Sequence, residues 1–193
     1  MLVRGVSGHG KSTLVKGITG ALRGVCIDYE EAATFRDAFV LVGQGVKHKL
    51  EFESLTLGEL FDTQDCALVE RYLDACLLID WYESSCQSSI QANIQVSGGE
   101  RNRLTLAYHI FLAEKRGSPV LILDECEQGT DLYDPVRRHD CYELVRRIRA
   151  LCADKTLLIV SHMYDERGRP HLPVEAIDWS RIITLESMRV DVS

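Results

Sequence analysis

Residues Gly5 to Ser12 read Gly-Val-Ser-Gly-His-Gly-Lys-Ser, a G-x-x-x-x-G-K-S spacing. The chemistry such a stretch performs is phosphate binding. Its glycines let the backbone curl so that successive N–H groups point inward at an anion. Lys11 is placed to reach the β- and γ-phosphates of a nucleotide, and the Ser12 hydroxyl to ligate Mg²⁺. The run from Ser12 to Ile18 suits a helix whose positive N-terminal end faces the phosphate. His9 occupies a variable position of the loop and reads as filler.

A second group of chemical residues is Val120-Leu-Ile-Leu-Asp124-Glu125. Four apolar residues place two carboxylates at the carboxyl end of a buried strand, the edge where ligands bind in open α/β sheets. Asp124 is positioned to hold Mg²⁺, directly or through water, and Glu125 to take a proton from a water attacking the γ-phosphate.

The third motif is Val96-Ser97-Gly98-Gly99-Glu100, followed by Arg-Asn-Arg-Leu-Thr-Leu-Ala. A serine and paired glycines at a helix start can form another anion-binding nest. One triphosphate does not need two nests in one chain, unless the second serves a nucleotide held by another subunit.

These motifs together resemble the ATP-binding cassette (ABC) ATPases, whose signature is Leu-Ser-Gly-Gly-Gln or a close variant. Gln44, just past an apolar run, is similar to the family's Q-loop glutamine, and Ser54-Leu-Thr-Leu-Gly-Glu-Leu60 to the opening of its helical subdomain. Asp131 falls where the D-loop aspartate is expected, with Asp134 competing for that role, and Ser161-His162 after Leu-Leu-Ile-Val matches the switch histidine. Val96 replaces the usual leucine of the signature, and Cys126 stands where a proline usually follows the catalytic glutamate.

The resemblance implies a P-loop NTPase of α/β class, a mostly parallel sheet flanked by helices. It implies one domain over 1–193 with a helical subdomain near 45–115. ATP and Mg²⁺ are the implied cofactors. Gly5, Ser7, Gly8, Gly10, Lys11, Ser12 and Thr13 would bind nucleotide on one subunit, and Ser97, Gly98 and Gly99 on the other. Glu125, His162 and Gln44 would gather around the γ-phosphate, with Ser12, Gln44 and Asp124 as metal ligands. The partner is a second cassette, in a homo- or heterodimer that closes around ATP and opens on hydrolysis.

Family members also carry a longer N-terminal β region with an aromatic residue that stacks on adenine. With the phosphate loop starting at Gly5, that region is expected to be missing here, and nucleotide binding to be weak and poorly selective for adenine. Leu2 and Val3 are then expected near an unpaired sheet edge. Tyr29 and Phe35 are the candidates to take over stacking.

The elements that must hold these motifs are legible as apolar patterns. Leu2-Val3 reads as the end of a strand, Val25-Cys-Ile27 as a short one, and Ala38–Val42, Val120–Leu123 and Leu157–Val160 as buried ones. Val69, Tyr72, Leu73, Cys76 and Leu77 fall at helical spacing. Glu83 to Gln95 is mostly polar and loop-like, and Arg101–Ala113 reads as a helix. Asp134-Pro135 has the form of an N-cap followed by proline at the first helical position. Leu144, Val145, Ile148, Leu151 and Cys152 then share one helix face. Strands alternating with helices imply a parallel sheet covered on both sides.

Length and charge limit the rest. A chain of 193 residues suits one domain, and a net charge of −7 argues against broad nucleic-acid binding. The cluster Arg146-Arg-Ile-Arg149 reads as a solvated helix face. His48, His109, His139 and His171 have no metal-ligand spacing. The seven cysteines contain no C-x-x-C pair and read as reduced, mostly buried thiols of a cytosol-like compartment. No apolar run is long enough to cross a membrane, so a cytoplasmic chain would reach one only through a membrane-domain partner. Driving a transporter is the favoured role. A soluble cassette in DNA maintenance or cluster assembly is the alternative, because Glu100 and Glu127-Gln-Gly129 are closer to soluble members.

Overall fold

The computed structural model describes residues 1–5, 9–19, 39–43, 54–85, 89–130, 132, 138–161, 163–164, 167 and 177–185. Gln44, His48, Asp131, Asp134, His162, His171, Ser7, Gly8, Tyr29, Phe35 and the strand expected over 25–27 lie outside them.

The described strands are β1 (Leu2–Arg4), β2 (Phe39–Val42), β3 (Val120–Asp124), β4 (Thr156–Ser161) and β5 (Ile182–Thr184). They form one sheet in the order β2-β3-β4-β1-β5, with every neighbouring pair parallel. The helices are α1 (Lys11–Ile18), α2 (Leu57–Leu60), α3 (Cys66–Ala75), α4 (Ile79–Ser85), α5 (Gly98–Lys115) and α6 (Arg138–Leu151). The parallel sheet flanked by helices agrees with the expected fold class.

Strand side chains alternate between the two faces of a sheet, and the core divides accordingly. Leu2, Leu121, Leu123, Leu157 and Ile159 join the larger cluster, together with α3, α5 and α6. Val3, Ile122, Leu158 and Val160 join Val15 of α1 on the other face. Parallel strands buried on both faces need apolar residues at consecutive positions. This is why β3 and β4 read as unbroken apolar runs.

The expected unpaired edge at Leu2 and Val3 is not found. β1 is internal, with β4 on one side and β5 on the other, Leu2 standing opposite both Ile159 and Ile182. β5 comes from the far end of the chain and covers it. β2 is a partial correction as well. Its burial alternates, with Val40 and Val42 buried and Phe39 and Leu41 half-buried. It is an outer strand among the described residues.

The helices of the middle segment form by strong local signals. Thr56 Oγ1 accepts from Glu59 N at 3.2 Å while Glu59 Oε2 accepts from Thr56 N at 2.8 Å, a reciprocal cap on α2. Asp65 Oδ1 accepts from Leu68 N at 3.2 Å and caps α3. α3 ends earlier than the spacing implied: Cys76 is its C-cap and Leu77 lies beyond it with a φ of 56°. α4 extends to Ser85, into the stretch expected as loop, because Trp81 and Tyr82 are buried and pull it onto the core. α5 begins at Gly98, earlier than expected, and packs on β2, β3 and α3. Phe61, Tyr72, Tyr108 and Phe111 interlock there as stacked and edge-on rings.

On α6, Leu144, Val145 and Ile148 are buried as expected, and Cys152 beyond it too. Three of its described arginines have partners. Arg146 and Arg147 both hold Glu143, Arg147 reaches Asp74 on α3 at 2.6 Å, and Arg149 lies over the Trp179 ring. Cys76, Cys126, Cys141 and Cys152 are buried free thiols, and Cys66 is an exposed one. Burial pushes the Cys152 thiol up to about 11, which suppresses its reactivity. Among the described residues, no helix is long and apolar enough to cross a membrane.

Candidate active site

In a parallel sheet the loops after the strands share one edge, and here they bring the first two motifs together. β1 delivers the chain to Gly5, and α1 starts six residues later at Lys11. Gly10 is the N-cap of α1, left-handed with a φ of 85° and no side-chain cap, so the helix presents its first N–H groups without a side chain across them. Lys11 is only 5% exposed, and its ammonium donates to the Gly5 carbonyl at 2.8 Å, spanning the loop. Ser12 and Thr13 are exposed on the first turn.

Gly5 is required for a reason the motif alone does not show. Leu185, just past β5, donates its N–H to the Arg4 carbonyl at 2.9 Å. A Cβ at Gly5, whose φ is 155°, would then lie 2.7 Å from the Leu185 backbone oxygen. His9 faces the same carbonyl, with Nδ1 3.1 Å from Leu185 O, so it packs the loop against β5.

β4 lies between β1 and β3 and sets the spacing between the phosphate loop and the acids. Asp124 is opposite Val160 and 8% exposed, and Gly43, just past β2, runs alongside its side chain. Glu125 has a φ of 51° and donates its backbone N–H to Val160 O at 2.9 Å. A non-glycine residue in that region is strained, and such strain collects at functional sites.

An exposed hydroxyl at the start of α1 and a nearly buried carboxylate at the end of β3 are hard oxygen ligands. Mg²⁺ takes one or two such protein ligands and completes its shell with phosphate oxygens and water. Ser12 and Asp124 fit that requirement. Among the described residues, no group of three or more histidine, cysteine or acidic side chains could hold a metal ion.

Ser97, Gly98 and Gly99 lie at the N-terminus of α5. Ser97 caps α5, its Oγ accepting from Glu100 N at 3.3 Å while Glu100 Oε2 accepts from Ser97 N at 2.8 Å. The stretch expected as an anion nest is therefore a capping box, readable as Ser-x-x-Glu.

Sequence reasoning did not find two further residues. Asn102, on the second turn of α5, donates its side-chain amide to the carbonyl of Gly129. This ties the start of α5 to the loop after Glu125. Glu127 is 1% exposed, and the buried Ser161 hydroxyl donates to it. No local pattern marks a carboxylate for burial when its partner is 34 positions away.

Comparison with known proteins agrees with this fold. A family model described as ABC transporter matches residues 1–128. The fold is similar to a solved structure of a bacterial Atm1-family ABC exporter with ATP bound, with a TM-score of 0.60, 17% identity, and coverage of 96% of this chain. This chain spans 32% of that one. No curated protein sequence matches the chain.

Proposed function

The chain belongs to the ABC transporter family, and we propose that it binds and hydrolyses ATP in a dimer of cassettes, with transport across a membrane as the driven process. The observation that supports this best is the shared edge. There the Lys11 ammonium, the uncapped start of α1 and the Asp124-Glu125 pair are carried by strands separated only by β4.

Lys11 leaves the Gly5 carbonyl for the phosphate oxygens, where an anion replaces a neutral acceptor and strengthens the bond. The N–H groups at the start of α1 receive the remaining phosphate charge. Gly5, Ser7, Gly8 and Gly10 shape this loop, and Thr13 extends it. Ser12, Gln44 and Asp124 would hold Mg²⁺, which would draw charge from the γ-phosphate. Glu125 accepts the proton of the attacking water, and Gln44 and His162 orient that water and the γ-phosphate. Ser97, Gly98 and Gly99 serve the nucleotide of the partner cassette. Residues 45–115 form the helical subdomain, and the region from Gln44 to Ser97 docks a membrane-domain partner.

Calorimetry with ATP and Mg²⁺ tests the reading. Wild-type chain should bind, and Lys11→Ala should lose roughly tenfold or more in affinity, as one charge-assisted bond is removed. Equal affinity in the two would overturn the assignment of the phosphate loop.

A further inference from the structure

The loop after Glu125 and the segment around His162 are joined by a buried polar network that catalysis by Glu125 does not itself require. Ser161, at the end of β4, is fully buried, and Glu127 is 1% exposed. The Ser161 hydroxyl donates its one proton to Glu127 Oε1 and accepts from the Met163 N–H at 3.0 Å. A hydroxyl has a single proton, so the acceptor on one side decides which groups it can serve on the other. The carboxylate thereby turns the lone pairs of Ser161 toward Met163.

The other contacts fix both ends of this bridge. The Cys126 thiol donates to Glu127 Oε2 at 3.6 Å, and Thr130 Oγ1 donates to the Glu127 carbonyl at 2.6 Å. Glu125 N–H is held by Val160 O at 2.9 Å. On the far side, the Met163 carbonyl accepts from the Tyr142 hydroxyl at 3.2 Å. Both backbone polar groups of Met163, the residue after His162, are thus held by buried side chains. A buried carboxylate is a costly way to stabilise a fold compared with apolar packing. Its value here lies in direction.

We propose that Glu127 and Ser161 are positioning residues that hold the segment flanking His162 in register with the loop that carries Glu125. The catalytic consequence rests on the ATPase reading above, whereas the geometry does not. Two measurements on the full chain therefore test it separately, using Ser161→Ala, Glu127→Leu, which removes the acceptor, and Ser161→Thr, which keeps the hydroxyl.

Amide hydrogen exchange at Met163, without nucleotide, reads the bridge directly. Exchange should quicken by roughly tenfold in Ser161→Ala and Glu127→Leu, and return to within about twofold of wild type in Ser161→Thr. Steady-state ATPase kinetics read the consequence. The first two variants should lose roughly tenfold or more in kcat with KM for ATP changed by less than about threefold, because misplacement affects the reacting geometry rather than binding. Unaltered Met163 exchange in Ser161→Ala and in Glu127→Leu, which keeps the side-chain size without an acceptor, overturns the proposal. So does a faster exchange accompanied by unchanged kcat. If wild-type chain hydrolyses no ATP, the ATPase reading fails, and Met163 exchange alone decides whether the bridge exists.

Discussion

The backbone N–H of Glu125 donates to the carbonyl of Val160 at 2.9 Å, although Glu125 itself sits at a φ of 51°. β4 therefore holds the second acid of the β3 motif in a conformation that side-chain-bearing residues avoid. A left-handed residue turns the chain sharply at the strand end, directly after Asp124.

That strain is measurable. Glu125→Gly should be more stable than Glu125→Ala by about 1 kcal/mol, since only glycine occupies this region without penalty. Urea unfolding of the two variants reads the difference. Equal midpoints with equal slopes would show that the turn relaxes at no cost.

Gly5→Ala should destabilise the chain by about 1–3 kcal/mol. Its Cβ would stand 2.7 Å from a backbone oxygen of Leu185, which cannot swing aside as a side-chain tip can. Thermal unfolding should show the loss, and nucleotide affinity should fall with it as the loop is displaced. A variant as stable as wild type would mean that β5 does not press on the loop.

His109 gives the fold a pH dependence. Burial holds its pKa below the ordinary value of 6.5, Arg116 adding to the effect and the Thr105 carbonyl opposing it. The folded state thus keeps His109 neutral while the unfolded chain protonates near 6.5. Stability is full above that pH and declines as pH falls from it toward the folded pKa. His109→Gln should show a shallower decline between about pH 7 and 5 in urea unfolding. An identical decline would place the acid sensitivity elsewhere.

Much of the site was legible because phosphate binding demands fixed residue types at short range. Gly5 to Ser12 and Asp124-Glu125 are contiguous, and β3 and β4 announce themselves because burial on both faces forbids polar residues. What was illegible depends on distant partners. β5 is three residues long and only partly apolar, so nothing local shows that it covers β1 and corrects the expected edge. α4 was hidden because its polar residues outnumber Trp81 and Tyr82, whose burial decides it. Glu127 stands out only within Glu127-Gln-Gly129, and its burial shows only when Ser161 is placed beside it. The capping role of Ser97 was written in the sequence as Ser-x-x-Glu, but the nest reading took precedence over it.

The central claim is that Glu125 completes an ATPase that closes as a dimer, and the Glu125→Gln variant tests it most directly. Phosphate release and light scattering should be followed together in ATP and Mg²⁺. An amide cannot accept the water's proton. The account predicts that the variant binds ATP, releases no phosphate above background and accumulates as a dimer, while wild type turns over. Phosphate release by Glu125→Gln at the wild-type rate, or a variant that stays monomeric with ATP bound, would contradict it.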